Sequence, residues 1–308
     1  MIFLNQCLQG IFLGAYYALI ACSLSFLFGV MRIINLAHGS LAVLAAFLLF
    51  VLADRYGLSP WLGLVLVIPV MAALGFLLQI LVLERSLKGG LLVPLLSTFG
   101  LAIVIDNLLF QGFGADTRSL APYIGDLSFA SWSLSDDITV GQLDVIILAA
   151  AVALLGGLQL FLARTRLGRT IRATAEAPEI VGLIGIDARA VYALSTALAM
   201  ALATVAGAFL ALRATFNPYS GGMQLLFAFE AVVIGGFGSL WGTLIGGILL
   251  GVAQNLGAFV NPHGFLIAGH GFFLAILIAR LYLGPRLARL RLARLRPRRP
   301  RPHAARPA

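Results

Sequence analysis

Polar residues are so sparse along this chain that the apolar runs themselves define its elements. Nearly every stretch between residues 8 and 283 is apolar, and the first charged residue is Arg32. Unbroken apolar runs of about twenty residues match the hydrocarbon thickness that a membrane helix crosses. They predict spans near 8–29, 31–53, 60–83, 91–113, 142–163, 190–212 and 264–283. A further apolar stretch, 223–257, is interrupted by Gly235, Gly236, Gly238 and Gly242. It is too long for one straight span and too short for two. Two short or broken helices meeting at the glycines are expected, as in the discontinuous helices of transporters. Barrel strands would instead alternate apolar and polar residues over about ten positions. The expected fold class is therefore all-α, a polytopic membrane helical bundle of about eight transmembrane helices with broken or re-entrant segments, because in lipid the backbone must satisfy its own hydrogen bonds.

Composition agrees with lipid as the solvent: 61% of residues are hydrophobic and 11% charged, against roughly 25% charged in a soluble domain. Residues 1–283 read as one membrane domain and 284–308 as a basic, disordered tail. No segment outside the bilayer is long enough for a separate folded domain. The longest polar interval, 114–141, reads as a loop cap or a short helix.

The net charge of +9 is localised, and it orients the bundle. The segments 84–90, 164–190 and 284–308 carry Arg85, Lys88, Arg164, Arg166, Arg169, Arg172, Arg189 and the nine arginines of the tail. The segments 54–59, 114–141 and 213–222 carry Arg55, Arg118 and Arg213. The positive-inside rule places the first set, with the C-terminus, in the cytoplasm. The N-terminus then lies outside, unless residues 30–40 form a re-entrant element. The tail lacks aromatics after Tyr282, so nucleic acid is not an expected partner; anionic lipid is. Cys7 and Cys22 lack metal spacing and read as packing residues. The N-terminus has no basic n-region, so the first hydrophobic segment is read as retained.

Several chemistries are excluded. The single lysine, Lys88, is not preceded by a Gly-rich loop, so no P-loop can bind nucleotide here. His38, His263, His270 and His303 form no metal-ligand cluster. No catalytic constellation and no cofactor are indicated. What remains are polar groups inside predicted spans: Asp106 and Glu230, with Asn35, His38, Gln79, Gln159, Gln254 and His270. A carboxylate at mid-membrane costs ~2.5–3.5 kcal/mol. Such groups either line a wet path or make interhelical hydrogen bonds. Asn35 and His38, three apart, would share one helical face, next to the small residues Ala37, Gly39 and Ser40, and mark either a helix start with a polar packing knot or a broken-helix site near the permeation path. Asn35, His38, Asp106 and Glu230 are the candidate path residues. Gly238, Gly242 and Gly246, preceded by Gly235 and Gly236, form a small-residue ladder suited to close helix packing. The segment 164–190 combines basic residues with Ile171, Ile180, Val181, Leu183, Ile184 and Ile186. Pro178 can open a helix with Glu179 behind it. Gly182 and Gly185 would limit it to about two turns. This amphipathic element either rests on lipid or docks a soluble partner.

Three motifs in order resemble permease subunits of ABC importers for branched-chain amino acids, the LivH/LivM type. They are Asn35-Leu36-Ala37-His38-Gly39, the loop from Thr165 to Ile186, and Gly235-Gly236-Phe237-Gly238-Ser239-Leu240-Trp241-Gly242. The resemblance implies a bacterial inner-membrane machine with a second permease subunit, two cytoplasmic ATPase subunits and a periplasmic substrate-binding protein. It implies that the chain itself is not an enzyme. It also assigns coupling to the ATPase to Arg169, Arg172, Glu176, Ala177, Gly182 and Gly185; Glu176-Ala177-Pro178-x3-Gly182 fits the importer pattern Glu-Ala-Ala-x3-Gly with proline replacing the second alanine. Urea, short amides or other small polar metabolites stay open as substrates, as does a stand-alone secondary transporter.

Overall fold

The computed structural model describes residues 2–295 except 88, 91, 136 and 137. Its helices are α1 (Ile2–Met31), α2 (His38–Tyr56), α3 (Pro60–Leu87), α4 (Leu92–Phe113), α5 (Gln142–Arg164), α6 (Arg166–Glu176), α7 (Ala188–Arg213), α8 (Gly221–Gly235), α9 (Leu240–Val260) and α10 (Gly264–Leu295). Eight of these are long and apolar enough to cross a membrane. The molecule is a polytopic helical membrane bundle.

Two antiparallel helix pairs form its centre. Along α1 and α9, Gly10 lies on Gly251 and Val252, Gly14 on Gly247 and Ile248, and Gly29 on Gly238. With no Cβ at these points the two backbones touch directly, which is how membrane helices associate when hydrophobicity cannot discriminate them from lipid. Along α3 and α7, Trp61 meets Phe209, Gly75 meets Met200, and Gln79 accepts the Thr196 hydroxyl at 2.7 Å. The Arg189–Glu84 ion pair closes the far end of that pair. The first long helix of each half thus packs against the third element of the other half, and the halves run in opposite directions. Outer faces of α3, α4 and α10 present Val65, Leu66, Val70, Leu96, Leu108, Ile267 and Leu281 to the surroundings, as lipid contact requires.

Each half also contains an interrupted span. Residues 32–37 are not helical and α2 starts at His38, so the span expected over 31–53 is corrected: its first turns are extended chain. The break begins at Arg32, whose φ of 55° is left-handed, a conformation that costs an L-residue roughly 1–2 kcal/mol. In the other half, the chain leaves α7 at Arg213 and re-enters helix at Gly221. The two restarts use the same local chemistry. Asn35 Oδ1 accepts the Ala37 N–H, and Asn217 Oδ1 accepts the Tyr219 N–H, both at 3.0 Å. Gly39 then packs backbone to backbone on Gly221, so the starts of α2 and α8 meet inside the bundle. The expectation for 223–257 is half right. α8 has 15 residues and is short, but α9 has 21 and is a full span. Gly236 and Gly238 (φ 97° and 75°) make the turn between them, and Ser239 caps α9 by accepting the Gly242 N–H.

At one end of the bundle, residues 114–141 form a 3-10 segment, Ala121–Ser128, and a hairpin of Ser131–Ser135 with Ile138–Gly141, where a loop or short helix was expected. The opposite end is Arg-rich and holds α6. The apolar span of α10, Gly264–Tyr282, agrees with the one expected over 264–283, while its backbone continues as helix to Leu295, into the tail expected to be disordered. The rest of the basic tail, expected to be disordered, lies outside the described residues.

Candidate functional site

The four polar residues picked out in the spans fall into two places. Asn35 lies in the break before α2 and His38 opens the helix, and both are fully buried. They do not share a helical face, because Asn35 precedes the helix; that expectation is corrected. His38 Nε2 lies 3.0 Å from Ser23 Oγ and 3.2 Å from the Ile20 carbonyl. A carbonyl only accepts, so Nε2 carries the proton, and His38 fastens the start of α2 to α1. Asn35 Nδ2 and His38 Nδ1 have no partner among the described residues. Asp106 of α4 sits beside Ser40 of α2, at the same break. Glu230 is elsewhere. It lies on α8 with 2% of its side chain exposed, shares a hydrogen bond through Oε1 with His270 Nδ1 of α10, and leaves Oε2 unpartnered. Phe227 stacks on the His270 ring. Across from it, the Tyr17 hydroxyl donates to Gln254 Oε1 at 2.7 Å, and Gln254 Nε2 has no partner.

The glycine ladder divides by function in packing. Gly242 and Gly246 face α8 at Gly235 and Ala231, while Gly247 and Gly251 face α1. The C-terminal end of α8 is held by a residue that sequence reading passed over. Arg280 of α10 donates from Nη1 to the Val233 carbonyl at 2.7 Å and from Nη2 to the Ile234 carbonyl at 2.6 Å. These are orphan carbonyls of a helix end, and the positive charge complements the helix dipole. Arg280→Ala is expected to lower stability by ~1.5–3 kcal/mol, the range for charge-assisted hydrogen bonds. Thermal unfolding in detergent checks this; a melting temperature equal to that of the parent would show that the cap contributes nothing.

At the Arg-rich end, α6 precedes the proline at which a helix was expected to begin. Thr165 caps α6 by accepting the Gly168 N–H at 2.9 Å. Gly168, Ile171 and Thr174 form its buried stripe, and Gly168 rests on the backbone of Phe161 and Leu162. Arg169, Arg172 and Glu176 point outward, and Ala177 is half-buried at the junction. Pro178–Val181 is then one helical turn, continued by the 3-10 turn Gly182–Ile184 and stopped by Gly185 in the left-handed region at φ 81°. Val181 anchors this tip, whereas Ile180, Leu183 and Ile184 are 62%, 85% and 71% exposed. Among the described residues, no group of three His, Cys, Asp or Glu could hold a metal ion.

Comparison with known proteins fits this architecture. The chain is 30% identical over 296 residues to the high-affinity branched-chain amino acid transport system permease protein BraD of Pseudomonas aeruginosa, covering 90% of this chain and 94% of BraD. It is 29% identical over 263 residues to LivH of Escherichia coli K12, covering 82% and 85% of the two chains. With LivM of the same organism it shares 27% identity over 286 residues, covering 86% of this chain and 66% of LivM. No solved structure is a significant match. Residues 6–281 match the family described as "Branched-chain amino acid transport system / permease component", and the chain belongs to that family.

Proposed function

We propose that this chain is the membrane-spanning permease subunit of an ATP-driven importer for branched-chain or related amino acids, working in a bacterial inner membrane with its Arg-rich end in the cytoplasm. A second permease subunit completes the conduit. Two ATPase subunits bind beneath it, and a periplasmic binding protein docks on the hairpin end and delivers the substrate. One observation carries the reading: the apolar tip Ile180, Leu183 and Ile184 is exposed on an Arg-rich face, on a segment whose other side is packed into the bundle through Ile171, Thr174 and Val181. The positive-inside rule places that face in the cytoplasm, and docking on a soluble protein partner covers three exposed aliphatic side chains there.

Force applied at the tip reaches the bundle through a continuous path. Gly168 bears on α5, α6 packs against α1, and α1 is locked to α9 along its length. The breaks before α2 and α8 are where spans can pivot, since their backbone is not held in a helix ladder. Asn35, His38 and Asp106 supply polar groups around the first of these pivots, and Glu230 supplies one within α8. The chain does no chemistry; nucleotide hydrolysis occurs on the ATPases. The test is co-reconstitution of the two permeases and ATPases in liposomes with loaded binding protein. ATP-dependent leucine uptake is expected. Solute movement by the isolated chain without ATPases would defeat the reading.

A further inference from the structure

Arg213 was legible in the sequence only as a loop charge, yet it separates two cavities. It closes the hairpin end of α7, with under a quarter of its side chain exposed. Its Nε donates to Asp144 Oδ1 at 3.1 Å, and its guanidinium lies over the Tyr16 ring at 5.7 Å. A guanidinium has five N–H donors, and the two terminal nitrogens have no hydrogen-bond partner among the described residues. On the hairpin side is a cavity of about 320 Å³ under Leu127, Phe129 and Asp144. On the other side is an open-mouthed chamber of about 430 Å³ lined by Tyr16, Tyr17, Phe227 and Phe265, with Gln224 also in its lining.

This second chamber has two kinds of surface. Tyr17 and Phe227 pack as tilted rings at 4.9 Å and Tyr16 abuts Tyr17 at 5.7 Å, and with Leu13 and Leu210 they make the wall largely apolar. The charge is at one edge. Tyr16 donates its hydroxyl to Gln224 Oε1 at 2.6 Å, which ties the chamber to the short helix α8. A ligand that fits must carry an anionic group for the guanidinium and a compact apolar body for the aromatic walls. A cationic group would be tolerated against the aromatic faces. The volume lies within the ~300–1,000 Å³ of small-molecule sites.

The geometry points to an outward-facing recognition site in this chamber for the zwitterion of an aliphatic amino acid. Arg213 takes the carboxylate, and Tyr17, Phe227 and Phe265 enclose the side chain. The site rests on the import reading above and adds to it a place where the permease itself selects its substrate. Because α8 forms part of the wall, occupancy of the chamber is coupled to the position of the half-span.

The complete transporter in phosphatidylcholine nanodiscs is to be photolabelled with a diazirine analogue of leucine, and labelled peptides mapped by mass spectrometry. Labelling is expected on peptides containing Tyr17, Phe227 or Phe265, and unlabelled leucine should displace it while added phosphatidylglycerol does not. Arg213→Gln is expected to reduce labelling about tenfold or more, as loss of a charge-assisted contact implies. Arg213→Lys should recover part of it. Asp144→Asn breaks the same ion pair but keeps the guanidinium, and should label like the parent. Labelling displaced by phosphatidylglycerol and not by leucine would make the chamber a lipid site. Absent labelling, or equal losses in Arg213→Gln and Asp144→Asn, would equally overturn the assignment. ATP-driven uptake by the same particles in liposomes separates the two readings: uptake without chamber labelling sinks the site alone, and labelling without uptake sinks driven import alone.

Discussion

Gly14→Leu is expected to abolish the folded bundle, with no monodisperse protein recovered in detergent. A Cβ at Gly14 would fall on the Ile248 Cα and the Gly247 carbonyl. Both are backbone atoms in the middle of a helix, so no rotamer change can clear the space. Relief requires α1 and α9 to separate, and that breaks the neighbouring contacts at Gly10, Gly29, Gly247 and Gly251 together. Overpacking of an ordinary core costs ~1–3 kcal/mol. Here the cost lies beyond that range, because the yielding element is a helix pair and not a side chain. The Ser25–Thr243 hydroxyl contact at 2.9 Å would be lost as well. Gly157→Ala is the matched control. Its Cβ would meet nothing within 4 Å, and alanine is favoured over glycine in a helix by up to ~1 kcal/mol. That variant should melt at or above the parent temperature. A Gly14→Leu protein with parental melting behaviour would refute direct α1–α9 backbone packing.

Much of this architecture was legible because lipid leaves few choices. A long apolar run must be a helix, and a small-residue ladder must meet another backbone; the stretch Gly238 to Gly251 obeys both rules. The misses share a different cause, local chemistry hidden inside an apolar run. Residues 31–37 are apolar enough to extend a span, and nothing in their hydropathy marks the left-handed turn at Arg32. The useful signal was comparison within the chain. Asn35-x-x-His38-Gly39 and Asn217-x-x-Ser220-Gly221 have the same spacing, and each asparagine side chain turns the backbone into a helix start. The hairpin was also readable. In 131–135, Ser alternates with Trp132 and Leu134, and Ile138 and Val140 alternate with Thr139, a period of two that points to strands. Helix α6 was missed because its buried stripe is Gly168, Ile171 and Thr174, two of which carry little hydropathy. Pairings such as Arg280 with the α8 carbonyls and Arg213 with Asp144 depend on tertiary approach. Their sequence separations gave no cue.

Replacing Leu183 and Ile184 together by glutamate is expected to eliminate ATPase capture and reduce uptake to background, with the permease melting temperature unchanged. The two side chains are among the most exposed aliphatics of the Arg-rich end, so the substitutions remove no intramolecular packing. Burial of a leucine or isoleucine against a partner contributes ~1.5–3 kcal/mol. Losing two such contacts weakens assembly by about 10²- to 10⁴-fold, and burying glutamate in their place costs more. The neighbouring Ile171→Glu variant separates docking from folding. Ile171 is 1% exposed beneath α6, so that change should destabilise the bundle itself and lower the melting temperature. The contrast matters because α6 and the tip are consecutive in sequence but differ in exposure: in the proposed coupling, Leu183 and Ile184 would receive force and Ile171 would pass it into the spans. Gly185, left-handed behind the tip, ends the 3-10 turn and fixes the direction in which the two side chains project. Full-strength ATPase binding by the double glutamate variant would mean that the ATPase grips another surface, and the transmission path through α6 would then have no input.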